Sequence, residues 1–178
     1  MANSWYNVIM ENVVLELKEK KAIEQALNFV ERRFLETEQF YYSKDDLKIA
    51  NKSLKSFDVM NAANIESLIK QKKVKVFVGL SDGKIQGVCA LEITAGKILF
   101  LSTSAEDSKN IILREMIEKM VEERAQEPDN RLNIMAFVGQ EQTLINVGFR
   151  KLYDTVLFFH GVKFVPMKYS YTQFDIEK

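Results

Sequence analysis

"VKVFVGLSDGKIQGVCALEITAGKILFLSTSAEDSKNIILREMIEKM", residues 74–120, decides how this chain is read. Three apolar runs, 74–80, 85–94 and 98–104, are separated by "SDGK" and "AGK". Asp82-Gly83 between two β-rich runs signals a two-residue hairpin, because both of its turn residues must take positive φ. Gly96 marks the second connection. After the polar stretch "SAED" a helix is predicted from about Ser108. Its Ile112, Leu113, Met116, Ile117, Met120 and Val121 recur as one doublet per turn, a stripe wide enough to be buried. Glu115 and Lys119, four residues apart, are placed as an ion pair on its wet side. A strand that feeds a helix through a short loop offers the helix's first free N–H groups, and its positive end, to an anion. Loops that grip phosphate this way usually carry glycine so that the backbone can come close, and this one carries none.

Working outward, "VVLELK" (13–18) reads as a first strand, followed by "KAIEQALNFVERRFLETE", where Ile23, Leu27, Val30 and Phe34 make one helical face. Ser43, three residues before Asp46, opens a second helix with a capping-box variant. "NAANIESLIKQ" gives a third. Beyond Pro128, which follows the long helix's stop, come the strand "RLNIMAFVG", the short helix "QEQTLINVGF" ended by Gly148, and a closing hairpin of "DTVLFFH" and "KFVPMKYSY". With no repeat, linker or low-complexity tract, residues 1–178 read as a single α/β domain whose sheet is mixed and mostly antiparallel.

Composition narrows the partners. Twenty-five basic and 25 acidic residues cancel, so nothing draws the chain as a whole to nucleic acid or to an anionic membrane. No stretch approaches the roughly 20 apolar residues that span a bilayer, and the N-terminus has no secretory pattern. Its single cysteine, Cys89, excludes an internal disulfide and sits in an apolar run as a buried thiol. A cytoplasmic protein is the expectation, and no metal site is predicted.

The order of elements resembles that of the GCN5-related N-acetyltransferase (GNAT) superfamily over roughly residues 13–170. "VFVGLSDGKIQGVCAL" is similar to the family's second and third strands with their tight turn. "ILFLSTS" with the following helix occupies the place of its cofactor motif. "LINVGFRKL" and "VPMKY" resemble its closing phrases. The resemblance implies an acyl-CoA-dependent N-acetyltransferase, in which an amine attacks the thioester of acetyl-CoA directly. It implies that the fourth and fifth strands splay, with pantetheine on the backbone of Leu101, Ser102 and Thr103. Pyrophosphate is then assigned to the start of the long helix, at Ser108, Lys109, Asn110, Ile111 and Ile112. The acceptor it implies is a small-molecule or peptide amine, and a homodimer is kept as an option.

Two departures from the family pattern stand out. The glycines of its Q/R-x-x-G-x-G/A loop fall on side-chain-bearing residues in either register, with Glu106 and Asp107 adding negative charge beside the polyanion's place. The tyrosine that protonates the departing thiolate in many members falls on Leu144, which has no proton to give. The candidate general base by position is Glu92, which also reads as a solvent-facing strand residue. Tyr41 and Tyr42 in "FYYSK" are candidates for the acceptor pocket or for packing. His160, at the tip of the last hairpin, reads as a turn residue or a titrating imidazole. The alternative to an enzyme is a non-catalytic binding or interaction module whose cofactor site has decayed.

Overall fold

The computed structural model describes residues 11–172. In chain order the elements are β1 (Asn12–Leu17), α1 (Lys20–Glu38), α2 (Lys44–Ser56), α3 (Ala62–Lys70), β2 (Val74–Ser81), β3 (Lys84–Glu92) and β4 (Lys97–Thr103). Then follow α4 (Ile111–Glu123), β5 (Arg131–Phe137), α5 (Glu141–Asn146), β6 (Arg150–Lys151), β7 (Leu157–Phe159) and β8 (Val162–Ser170). They build one open sheet in the order β1-β2-β3-β4-β5-β8-β6, with β7 also on β8. Every pairing is antiparallel except that of β4 with β5, which the α4 crossover makes parallel.

Alternation along the central strands divides the core into two layers. Phe77, Cys89 and Leu91 face the layer under α4, whereas Val76, Val78, Val88 and Ala90 face the layer under α1, α2 and α3. The predicted α4 stripe is buried in full: Ile112, Leu113, Met116, Ile117, Met120 and Val121. Burying each such side chain stabilises the fold by about 1.5–3 kcal/mol. α4 sits close because β2 and β3 present glycine beneath it. A Cβ on Gly79 would lie 2.3 Å from Ile112 Cγ2, and one on Gly87 would lie 2.5 Å from Met116 Cε. The close approach that glycine permits is thus made in the sheet and not in the loop.

The turn residues behave as their chemistry demands. Asp82 and Gly83 both take positive φ, as do His160 and Gly161 at the last hairpin. Ser43 Oγ accepts a hydrogen bond from the Asp46 N–H at 3.1 Å, capping α2. Two local expectations need correction. α4 begins at Ile111 and not near Ser108, because Asn110 takes a left-handed φ of 56° and Ser108 and Lys109 lie in the preceding turn. Lys119 pairs with Glu122 at 3.4 Å and not with Glu115. The two-residue strand β6, exposed and held through β8, has no counterpart in the sequence reading.

Candidate functional site

β4 and β5 pair only at Lys97–Asn133 and Ile98–Ile134, and beyond these two positions they separate. A bulge coincides with the parting. On the β3 side Ala90 pairs with Phe100 and Leu91 with Ile98, which leaves Leu99 as the extra residue. Bulges bend a strand and increase its twist, so β4 turns away from β5 one residue after their last pair. The gap is walled by Leu101, Ser102 and Thr103 of β4, by Phe137 and Gln140 where β5 ends, and by Leu144 of α5.

Within that gap backbone groups of both strands are met by side chains. The Gln140 amide lies between them, its Nε2 donating to the Leu101 carbonyl at 2.5 Å and its Oε1 accepting from the Phe137 N–H at 3.0 Å. Arg33 Nε donates to the Thr103 carbonyl at 2.6 Å. The Ser102 hydroxyl, 2% exposed, is buried without a hydrogen-bond partner. An unpaired buried hydroxyl is costly, which makes it a polar handle for a group that enters the gap. With Gln140 in place, about 50 Å³ of the gap stays open.

The start of α4 is also met from within. The Asp107 carboxylate accepts from the Ile112 N–H through Oδ1 and from the Leu113 N–H through Oδ2, both at 3.1 Å. The left-handed turn at Asn110 brings this carboxylate back over the helix end. The helix therefore does hold an anion at its positive end, and that anion is its own.

Below the gap Glu38, fully buried at the end of α1, accepts from the Gly139 N–H with both carboxylate oxygens, 2.9 Å through Oε2 and 3.2 Å through Oε1. A Cβ on Gly139 would lie 2.2 Å from Glu38 Oε2, so only glycine admits this contact. Burial raises the Glu38 carboxyl above its ordinary value, opposed by the Gly139 and Thr37 hydrogen bonds. Glu38 thereby anchors the turn that carries Gln140.

On the α1–α2 side the gap continues into a cavity of about 670 Å³, with Leu101, Phe137 and Gln140 on the walls of both. Its lining is mostly apolar and aromatic, including Phe57, Met135, Phe159 and Phe164. The size is that of a small-molecule site.

The structure brings some of the sequence candidates together and separates others. Leu101, Ser102 and Thr103 stand in the gap. Ile112 and Asn110 are at the α4 mouth, with Ser108, Lys109 and Ile111 exposed beside it. Glu92 ends β3 and lines, with Val74 and Leu68, a hollow that shares Asp58, Val59 and Leu99 with the aromatic cavity but does not reach the gap. Tyr42 packs edge-on to Phe34 and its hydroxyl accepts from the Lys163 N–H at 2.7 Å, a packing role. Tyr41 is exposed, and its carbonyl accepts from Lys163 Nζ at 2.6 Å. Neither tyrosine lines the gap or the aromatic cavity. Leu144, at the tyrosine position, is buried. His160 lies on the cavity rim. Cys89 is fully buried and its thiol is pushed up to about 12 by desolvation, which leaves it inert as a nucleophile. Sequence reasoning missed Arg33, Glu38 and Gln140. The partners that give them these roles, Thr103, Gly139 and Leu101, lie 39 to 101 residues away. Asp107 adds charge beside the helix start, as its sequence position implies, and also holds the helix end through Ile112 and Leu113.

Among the described residues no helix is long and apolar enough to cross a membrane, and no group of three His, Cys, Asp or Glu side chains is placed to hold a metal.

Known proteins match this architecture. The PaiA N-acetyltransferase of Thermoplasma acidophilum, solved in complex with coenzyme A, superposes with a TM-score of 0.62 at 17% identity, covering 91% of this chain and 100% of that one. A GCN5-related N-acetyltransferase from Rhodopseudomonas palustris gives 0.66 at 10% identity, covering 92% and 98%. The spermidine/spermine N-acetyltransferase SpeG of Vibrio cholerae gives 0.56 at 13%, covering 93% and 96%. At these identities the likeness is one of fold. No curated protein matches the sequence. The family model of the acetyltransferase (GNAT) domain matches residues 40–171, a span that takes in the splayed strands, the α4 mouth and the aromatic cavity, and by it this chain belongs to the GNAT acetyltransferase family.

Proposed function

We propose that the chain is an N-acyltransferase that takes its acyl group from a coenzyme A thioester, acetyl-CoA in the simplest case, and passes it to the amine of a small molecule. One observation carries this reading: the parted β4–β5 gap holds a buried hydroxyl without a partner, Ser102, and runs into a cavity large enough for an acceptor. The fold neighbour solved with coenzyme A supports the donor class.

The residues present fit such a donor once two side chains turn aside. Leu101, Ser102 and Thr103 would hold the pantetheine arm, and the Ile112 and Leu113 N–H groups would hold the diphosphate. Gln140 and Asp107 now fill those places from stems that can rotate. When bound, the donor would supply a thioester whose carbonyl carbon takes the amine nitrogen as the carbon–sulfur bond breaks, one amine proton passing to the sulfur of the leaving thiolate. The chain's own part is to place the amine and exclude water. Positioning alone can supply much of a barrier reduction, and the three residues that line both gap and cavity, Leu101, Phe137 and Gln140, include no acid or base. Acid–base help is worth typically 10²–10⁴-fold, so the enzyme is predicted to be slow.

Asp107 favours a second reading, a binding module that no longer takes the donor, since its carboxylate lies where the diphosphate would. A thermal-shift titration separates the two. A ligand at a hundred times its dissociation constant stabilises the folded state by about 2.7 kcal/mol. An acetyl-CoA-dependent rise in Tm supports the enzyme; an unchanged Tm at saturating acetyl-CoA and CoA refutes it.

A further inference from the structure

We infer that the acceptor is a compact primary amine on an aromatic body, with one amino group, and not a polyamine. This rests on the acyltransferase reading and assigns the chemistry of its acceptor side. A row of rings runs from the protein surface to the gap. Phe159, 55% exposed, lies 5.5 Å from Phe57, which lies 6.4 Å from Phe164, itself 5.9 Å from Phe137 at the gap. Met135, half-exposed, lines the same cavity. Such a wall gains from a flat apolar body through area buried and through tilted or edge-on ring contacts.

Charge decides against a polycation. Among the lining side chains there is one carboxylate, Asp58, and one ammonium, Lys97, beside the His160 imidazole. The wall is neutral overall. A chain with several ammonium groups would lose hydration there without carboxylates to replace it. An apolar wall does the opposite for a single amine. Desolvation disfavours its charged form, which favours the free amine as it reaches the gap. The cavity's balanced charge and its aromatic lining thus point to the same substrate class.

The experiment is a thermal-shift series on the full chain without donor, using 2-phenylethylamine, aniline and spermidine. The aromatic amines should raise Tm and spermidine should not. Phe159→Ala and Met135→Glu change side chains that are largely or partly exposed, so both variants should fold. Met135→Glu should invert the preference toward spermidine, and Phe159→Ala should weaken 2-phenylethylamine several-fold. A shift with spermidine equal to or larger than that with the aromatic amines overturns the assignment. So does the absence of a shift with every amine, or an aromatic-amine shift that both variants leave unchanged. A failed donor titration with the amine selectivity intact would sink the acyltransferase reading and leave the cavity's chemistry standing.

Discussion

Replacing Asp107 by alanine should move two properties in opposite directions. The carboxylate accepts from Ile112 and Leu113 at the first turn of α4. Its removal leaves those N–H groups to water, and losing a helix cap costs about 0.5–2 kcal/mol of stability, typically ~1. The same removal frees both donors for a phosphate and takes away a like charge at the helix end. A like charge within a few ångströms of a diphosphate near the surface opposes it by up to about 4 kcal/mol, less with solvent screening. Retaining roughly a third of that gives about 1.4 kcal/mol, or tenfold tighter CoA binding. Urea denaturation reads the first effect and isothermal titration with CoA reads the second. Pantetheine, which has no diphosphate, is the control and should bind both proteins alike. The reasoning is refuted if Asp107→Ala is less stable yet binds CoA no better than the parent, or if pantetheine gains as much as CoA.

Lys109→Glu, an exposed change beside the α4 mouth, should abolish the CoA-dependent rise in Tm while leaving the unliganded Tm within a few degrees; an undiminished rise would remove this loop from the donor site. Glu38→Gln tests the buried anchor through pH. The native Glu38 carboxyl binds its proton more tightly than the unfolded one, so its contribution to stability is largest at low pH and falls as pH rises from about the ordinary carboxylate value through the raised native one. The variant should lose that decline, read as Tm against pH from 4.5 to 8; parallel curves would contradict it. Gly79→Val should destabilise the fold by about 1–3 kcal/mol in denaturant unfolding, because the new side chain meets Ile112.

The sequence reading and the structure agree where local physics rules. Apolar runs bounded by glycine-containing turns assigned the central strands, positive-φ chemistry placed Asp82-Gly83, and the Ser43 hydroxyl capped its helix. They part where a residue's role depends on what the fold brings from far away. Gln140 reads as one polar residue among several near a helix start, and becomes a bridge between strands because Leu99 bulges β4 away from β5. Glu38 looks like the last polar residue of an amphipathic helix, yet it is buried against an amide 101 residues on. The α4 boundary slipped because Asn110 takes a left-handed conformation that its neighbours do not announce. The missing loop glycines were legible, but not that Gly79 and Gly87 supply the close packing under the helix.

The most direct test follows backbone amide resonances as CoA is added to the isotope-labelled chain. Donor binding between the parted strands predicts that Leu101, Thr103, Phe137, Ile112 and Leu113 shift together and saturate at one equivalent. If those five stay still while CoA is in excess, or if the shifts gather on another face, the donor site is not where β4 leaves β5.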